Sequence, residues 1–251
     1  MRRPPGGPFV TNRTEVRGSS LVEHRDRGAP PGRGTSALLA GWLAIAILGF
    51  AGFAALAWMV MAKASIPFDR PMLDLARQWD GFSGLWNLLS VAAYIPLAAL
   101  AVGFILWLFV NHRRREAVLV IILLVAVTAG SEAVKQIVAR PRPPATNTVV
   151  PGVVYSFPSG HALEVTTILG VIALTTWRGS LGLAMRIGVI LAAAALVALV
   201  AVARMSLDAH YPSDVLAGFL AGMAFVATYA LLTGSRSADT SAAGPQASVS
   251  P

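Results

Sequence analysis

Two stretches of this chain, Ala37 to Ala62 and Trp86 to Val110, contain no charged residue. Nothing else in it restricts the choice of fold so strongly. A hydrocarbon layer of ~30 Å is crossed by about 20 apolar residues in a helix, so each run is long enough to span one. Four more runs follow: Ala117 to Ala139 with Glu132 and Lys135 near its end, His161 to Trp177 with Glu164 inside it, and the uncharged Ile187 to Ala203 and Val215 to Leu232. All six read as helices, because isolated strands leave backbone groups unsatisfied in lipid. The expected fold is therefore all-α, a polytopic membrane bundle of six transmembrane helices. At 55% hydrophobic and 13% charged residues, the 251-residue chain is too apolar for an ordinary water-soluble domain.

The first run begins too far into the chain, and is too long, to be the core of a signal peptide, so it is kept as a helix. Ahead of it, residues 1–36 are rich in Pro, Gly and Arg and are expected to be a disordered basic tail. Residues 37–233 form the membrane domain, and 234–251, rich in Ser, Ala and Gly, read as a second disordered tail. The chain has no cysteine, which excludes disulfides and thiol chemistry.

Orientation follows the Arg and Lys of short loops. The N-terminal tail has seven Arg against three acids, 111–116 has three against one, and 178–186 has two against none. These segments are expected in the cytoplasm, with both termini there, in a plasma-membrane protein. The loop 63–85 carries three basic and three acidic residues, as an outer loop can; within it, Pro71 to Trp79 suits an amphipathic interfacial helix. Lys135, Arg140 and Arg142 then fall on the outer side against the rule, which suggests that function holds them there.

Helix ends sort the unusual residues onto that outer face. Lys135, Arg142 and Pro143 close the third helix, Pro158-Ser159-Gly160-His161 open the fourth, and Arg204, His210 and Asp214 lie between the fifth and sixth. Cations beside two histidines and a carboxylate suit a phosphoester site, since Arg and Lys neutralise phosphate oxygens while histidine serves as nucleophile or acid.

These motifs resemble those of the type 2 phosphatidic acid phosphatases, or lipid phosphate phosphatases, relatives of the vanadium haloperoxidases. Lys135 to Pro143 fits KxxxxxxRP, Pro158 to His161 fits PSGH, and Arg204 to Asp214 fits RxxxxxHxxxD. Ala203 departs from the serine usual before that arginine. The resemblance implies that His210 is the nucleophile, forming a phosphohistidine, and that His161 protonates the leaving oxygen and then activates water. Asp214, one turn beyond His210, is expected to reach the imidazole, fix its tautomer and stabilise its cation. Lys135, Arg142 and Arg204 are expected to hold phosphoryl oxygens, with Ser159 and Gly160 presenting the N-terminus of a helix to them.

Each of these residues also has a plainer reading. Ser159 suits an N-cap, Asp214 a helix-start charge, and Lys135, one of two lysines in the chain, a snorkelling partner of Glu132. Arg140 reads as an interfacial anchor or secondary substrate contact, Asp208 as a loop residue, Glu164 as facing the bundle without an assigned role, and His24 and His112 as solvated. No metal or other cofactor is called for.

The expected activity is release of inorganic phosphate from a lipid phosphate or diphosphate at the outer face. Phosphatidic acid, phosphatidylglycerol phosphate and a polyprenyl diphosphate such as undecaprenyl diphosphate all qualify. A phosphotransferase using the same site, or a non-catalytic lipid-binding membrane protein, are the alternatives. Membrane lipids are the expected surroundings; nucleic acid is not an expected partner, because the basic tail lacks interleaved aromatics.

Overall fold

The computed structural model describes residues 33–88, 94–144 and 155–234. Among these, eight α-helices follow one another without a sheet: α1 (Arg33–Met61), α2 (Asp69–Arg77), α3 (Ser83–Asn87), α4 (Tyr94–Val110), α5 (Arg114–Val138), α6 (Gly160–Arg178), α7 (Leu183–Ser206) and α8 (Pro212–Gly234). A single 3-10 turn, Asp80–Phe82, precedes α3. The tails expected at 1–36 and 234–251, and His24, lie outside the described residues except where α1 and α8 reach in. α1 starts at Arg33, slightly ahead of the uncharged run.

Four helices, α1, α5, α7 and α8, are long and apolar enough to cross a membrane. The other two expected spans differ in instructive ways. α6 is wrapped by α5, α7 and α8, and it carries Thr166, Thr167 and Thr175 buried within the bundle. A helix shielded by its neighbours does not need the apolarity of one facing lipid. The second run is described in two parts, on either side of residues 89–93. Tyr94 to Val110 form α4, and Trp86 lies in α3. Its buried indole donates to the Trp79 carbonyl at 2.9 Å and packs on Ala203 and Leu207, which holds this segment against α7. The expected interfacial helix is α2, with Leu73 and Ala76 buried and Met72, Leu75 and the following Trp79 exposed.

Glycines set the closest approaches. A Cβ on Gly218 of α8 would lie 2.6 Å from the Ser159 carbonyl oxygen, and one on Gly222 2.7 Å from Thr166 Cβ, so α8 meets α6 backbone to side chain along that edge. Gly49 brings α1 equally close to α8, with the Leu220 carbonyl oxygen 2.7 Å from where its Cβ would stand. Small residues of this kind bring membrane helices together where apolar burial offers no preference between protein and lipid. Large side chains on the outside, such as Leu48, Trp58, Ile95 and Val110, remain exposed, as expected of a multi-pass membrane protein.

The two ends of the bundle differ. At one, Arg115 donates to the Leu232 carbonyl, Arg178 to Thr233 Oγ1 and Tyr229 to Glu116, tying α5, α6 and α8 together. At the other end α5 and α7 finish, α6 and α8 begin, and α2 lies alongside.

Candidate active site

Backbone chemistry shapes this end first. α5 stops at Ala139, whose left-handed conformation (φ 48°) lets its N–H close on the Lys135 carbonyl at 2.9 Å. Beyond it, the Ser156 N–H donates to the Arg140 carbonyl at 2.8 Å and Pro141 faces Tyr155, so the chain after the first motif is tied to the chain leading into the second. Ser159 caps α6 as its sequence predicts, its Oγ accepting from the Ala162 N–H at 3.5 Å. Its own N–H donates to the Asp214 carbonyl at 3.0 Å. Asp214 in turn reaches back from the first turn of α8 to accept the Tyr211 N–H at 2.8 Å, in the manner of a capping box. The starts of α6 and α8 are thereby locked to each other.

His210 sits in this frame with 1% of its surface exposed. Its Nδ1 lies 2.7 Å from the Ser156 carbonyl oxygen. A carbonyl only accepts, so Nδ1 carries the proton and Nε2 keeps a lone pair. Burial, then the charges of Arg204 and Arg142, push the imidazole pKa well below its usual value, which keeps the ring neutral. The smaller influence of His161, in the first turn of α6, acts in the same direction.

Three cations lie at this end. Arg142 Nη1 donates to the Ala209 carbonyl at 2.6 Å, and burial lowers its pKa. Arg204 is buried at the end of α7, its carbonyl accepting the Ala209 and His210 N–H groups at 3.1 and 3.2 Å. Lys135 Nζ is 2.5 Å from Glu132 Oε1, yet the lysine side chain is 13% exposed and the glutamate 61%. The ammonium therefore lies inward of its partner. A Cβ on Gly160 would stand 3.5 Å from that Nζ, which places the ammonium beside the start of α6. The pairing with Glu132 read from the sequence is present.

Lys135, Arg142, Ser159, Gly160, His161, Arg204, His210 and Asp214 thus share one end of the bundle. One expectation is corrected. Asp214 Oδ2 is 3.9 Å from His210 Nδ1, too far for a hydrogen bond. The Ser156 carbonyl takes that place, because the Asp214 carboxylate is engaged by Arg140 and by the Tyr211 N–H. Arg140, read as an interfacial anchor or secondary substrate contact, bridges Asp214 (2.5 Å) and Asp69 (2.7 Å), donates to Ser213 Oγ (2.8 Å), and stacks 3.9 Å above the Tyr211 ring. Burial lowers its pKa, but the two carboxylates outweigh that and leave it raised. Asp208 lies in the loop between α7 and α8, as read from the sequence; there it is buried, with φ 49°, and pairs with Arg77 of α2 at 2.9 Å.

Asp69 and Ser156 were not singled out from the sequence. Asp69, at the start of α2, accepts the Ser213 N–H and hydroxyl, each at 2.8 Å, besides pairing with Arg140. Its signal was the surplus of cations at this end, which had to find anions in the 63–85 loop. Glu164 accepts from Thr128 Oγ1 at 3.1 Å, bridging α6 to α5. His112 is exposed, at the far end of α4. Among the described residues no group of three His, Asp or Glu is placed to hold a metal ion.

Residues 116–237 match the PAP2 superfamily. Comparison with curated proteins gave no match. Among solved structures, the chain is similar to the first transmembrane PAP2 type phosphatidylglycerolphosphate phosphatase from Bacillus subtilis, at 19% identity and a TM-score of 0.48, over 82% of this chain and 96% of that one.

Proposed function

This chain belongs, over residues 116–237, to the PAP2 superfamily, and from that premise we propose that it is an integral-membrane lipid phosphatase acting through a phosphohistidine. The observation that supports this most directly is the His210 ring, neutral and with its Nδ1–H held by the Ser156 carbonyl. Nε2 attacks phosphorus in line, forming a P–N bond as the bond to the lipid oxygen breaks. His161 gives its proton to that departing oxygen, then takes one from the water that cleaves the P–N bond and releases inorganic phosphate. Lys135, Arg142 and Arg204, with the α6 N-terminus at Ser159 and Gly160, balance the charge on the phosphoryl oxygens. Asp214 acts as a positioning residue: it joins α6 to α8 and holds the loop that carries His210.

The substrate is a phosphomonoester or diphosphate of a membrane lipid. By the distribution of arginine, the site faces outward and both termini face the cytoplasm, in the plasma membrane. With three cations around the phosphate, the reaction runs without a metal or other cofactor. Rapid quenching during turnover should trap phosphate on histidine in an acid-labile, base-stable linkage that is absent in His210→Ala. Equal phosphate release by both proteins would exclude His210 as nucleophile, and loss of activity to a chelator with recovery on adding magnesium would exclude the metal-free mechanism. A reporter fused after Leu232 should report the cytoplasm.

A further inference from the structure

A hydroxyl buried in a helix commonly donates to the carbonyl one turn back. Thr167 of α6 does so to Leu163 at 2.8 Å, and Thr228 of α8 to Ala224 at 2.9 Å. Ser131 of α5 does not: it is 3% exposed, yet its Oγ has no hydrogen-bond partner among the described residues. Such a group is costly to keep, because burial strips its water and nothing replaces it.

Its neighbourhood supplies a reason. Ser131 stands one helical turn before Lys135, on the same face of α5. The point where a Gly160 Cβ would stand is 3.3 Å from Ser131 Oγ and 3.5 Å from Lys135 Nζ, so hydroxyl and ammonium both lie against the first residue of α6. Lys135 pairs with Glu132, whose side chain is 61% exposed. A partner so open to water holds the ammonium weakly. The ammonium carries three N–H donors on a flexible stem, so it can turn from Glu132 and serve two other acceptors at once.

We propose that Ser131 is a positioning residue for Lys135: its Oγ accepts one N–H of the ammonium while another reaches a phosphoryl oxygen, and Glu132 competes for the same lysine. The phosphate in this statement rests on the phosphatase reading; the serine rests on the geometry at Gly160. The hydroxyl keeps its own proton to donate to the Val127 carbonyl, four residues back, so both of its hydrogen-bonding roles are then filled.

Substitutions at this position can separate the hydroxyl from its shape. Ser131 also lines a small apolar cavity of about 120 Å³ with Phe53, Val134 and Leu163, which leaves room for one more methyl group. Threonine and valine at 131 therefore fit alike and differ by the hydroxyl alone.

Two readouts are taken on the full chain in detergent: binding of inorganic phosphate by phosphorus NMR, and turnover of a short-chain lipid phosphate. Ser131→Ala and Ser131→Val should weaken phosphate binding and raise KM roughly tenfold, the worth of one hydrogen bond to a charged group, with kcat within about threefold of the parent. Ser131→Thr, which restores the hydroxyl, should recover most of that loss. Tm should hold or rise in Ser131→Ala, since the change removes a buried hydroxyl that has no partner. Glu132→Gln should tighten phosphate binding about two- to fivefold by releasing the lysine. In a Lys135→Ala background, with no ammonium to place, Ser131→Ala should change binding less than about twofold.

Parent-like KM and phosphate binding in both Ser131→Ala and Ser131→Val, or the same loss of binding with and without Lys135, would overturn the role of Ser131 and leave the phosphatase reading standing. Phosphate binding in the expected order by a protein that turns over no lipid phosphate would overturn that reading and keep the serine in its place.

Discussion

Replacing Asp69 by Asn tests how far the geometry at His210 depends on α2. The carboxylate is 5% exposed and accepts from three donors: the Ser213 N–H and hydroxyl at 2.8 Å and Arg140 Nη2 at 2.7 Å. Asparagine has nearly the same shape. It retains one oxygen for the Ser213 N–H and presents an NH2 group where two donors now point. Ser213 can rotate to accept from it, but the guanidinium cannot. The change removes a charge-assisted hydrogen bond of about 1.5–3 kcal/mol and leaves a donor facing a donor at about 1–3 kcal/mol more. The sum, about 2.5–6 kcal/mol, brackets the usual cost of breaking a buried ion pair, about 3–5 kcal/mol. For a chain of this size each kcal/mol moves Tm by about 2–4 °C, so unfolding in detergent should occur about 10 °C lower. Arg140 keeps Asp214, so part of the frame survives and kcat should fall less than in His210→Ala. Asp69→Glu, which restores the charge on a longer arm, should recover part of the loss. A shift in Tm under 2 °C for Asp69→Asn, with unchanged turnover, would refute the idea that α2 holds the site together.

Other outcomes follow from the same structure. The His210 pKa is depressed in the fold, whereas in the unfolded chain it is near the ordinary ~6.5. The unfolded state therefore takes up a proton as pH falls through ~6.5 and the folded state does not, so this group's contribution to stability is complete above that pH and shrinks below it, by at most about 1.4 kcal/mol per unit. Between pH 7.5 and 5.5 the drop in Tm should be smaller in His210→Asn than in the parent. Gly218→Ala places a methyl 2.6 Å from the Ser159 carbonyl oxygen, forcing α6 and α8 apart where they carry the site; overpacking of this kind costs about 1–3 kcal/mol, so Tm and turnover should fall together. Arg77→Ala leaves the buried Asp208 carboxylate without its α2 partner. Unfolding should again shift by several degrees, since removing one member of a buried ion pair costs about 3 kcal/mol or more, and Asp74→Ala, on the exposed side of the same arginine, should shift it by under one degree.

The apolar runs by themselves determined that the chain would be helical and membrane-bound, because burying twenty uncharged residues in lipid leaves the backbone few alternatives. Motif order also placed Lys135, Arg142, His161, Arg204 and His210 at one end, since alternating helix directions return α5 and α7 endings to the α6 and α8 starts. Ser159 as an N-cap and Asp214 as a helix-start charge were legible for the same local reason: a helix end needs its partners within a few residues.

Only the tertiary structure decided who partners whom across the chain. Ser156 supplies a backbone carbonyl, a group every residue owns, so no side-chain pattern marks it as the anchor of His210. Asp69 looks like any acid opening an amphipathic helix until α2 is laid against α8, and Arg140 differs from Arg142 in sequence by two positions but in the fold by what its guanidinium meets. The apolar groove between α6, α7 and α8 is likewise a product of assembly: alanines on α7 say nothing of it until α6 and α8 are set beside them. Local patterns fix elements because their hydrogen bonds are local, whereas ion pairs and voids depend on distances between segments far apart in the chain.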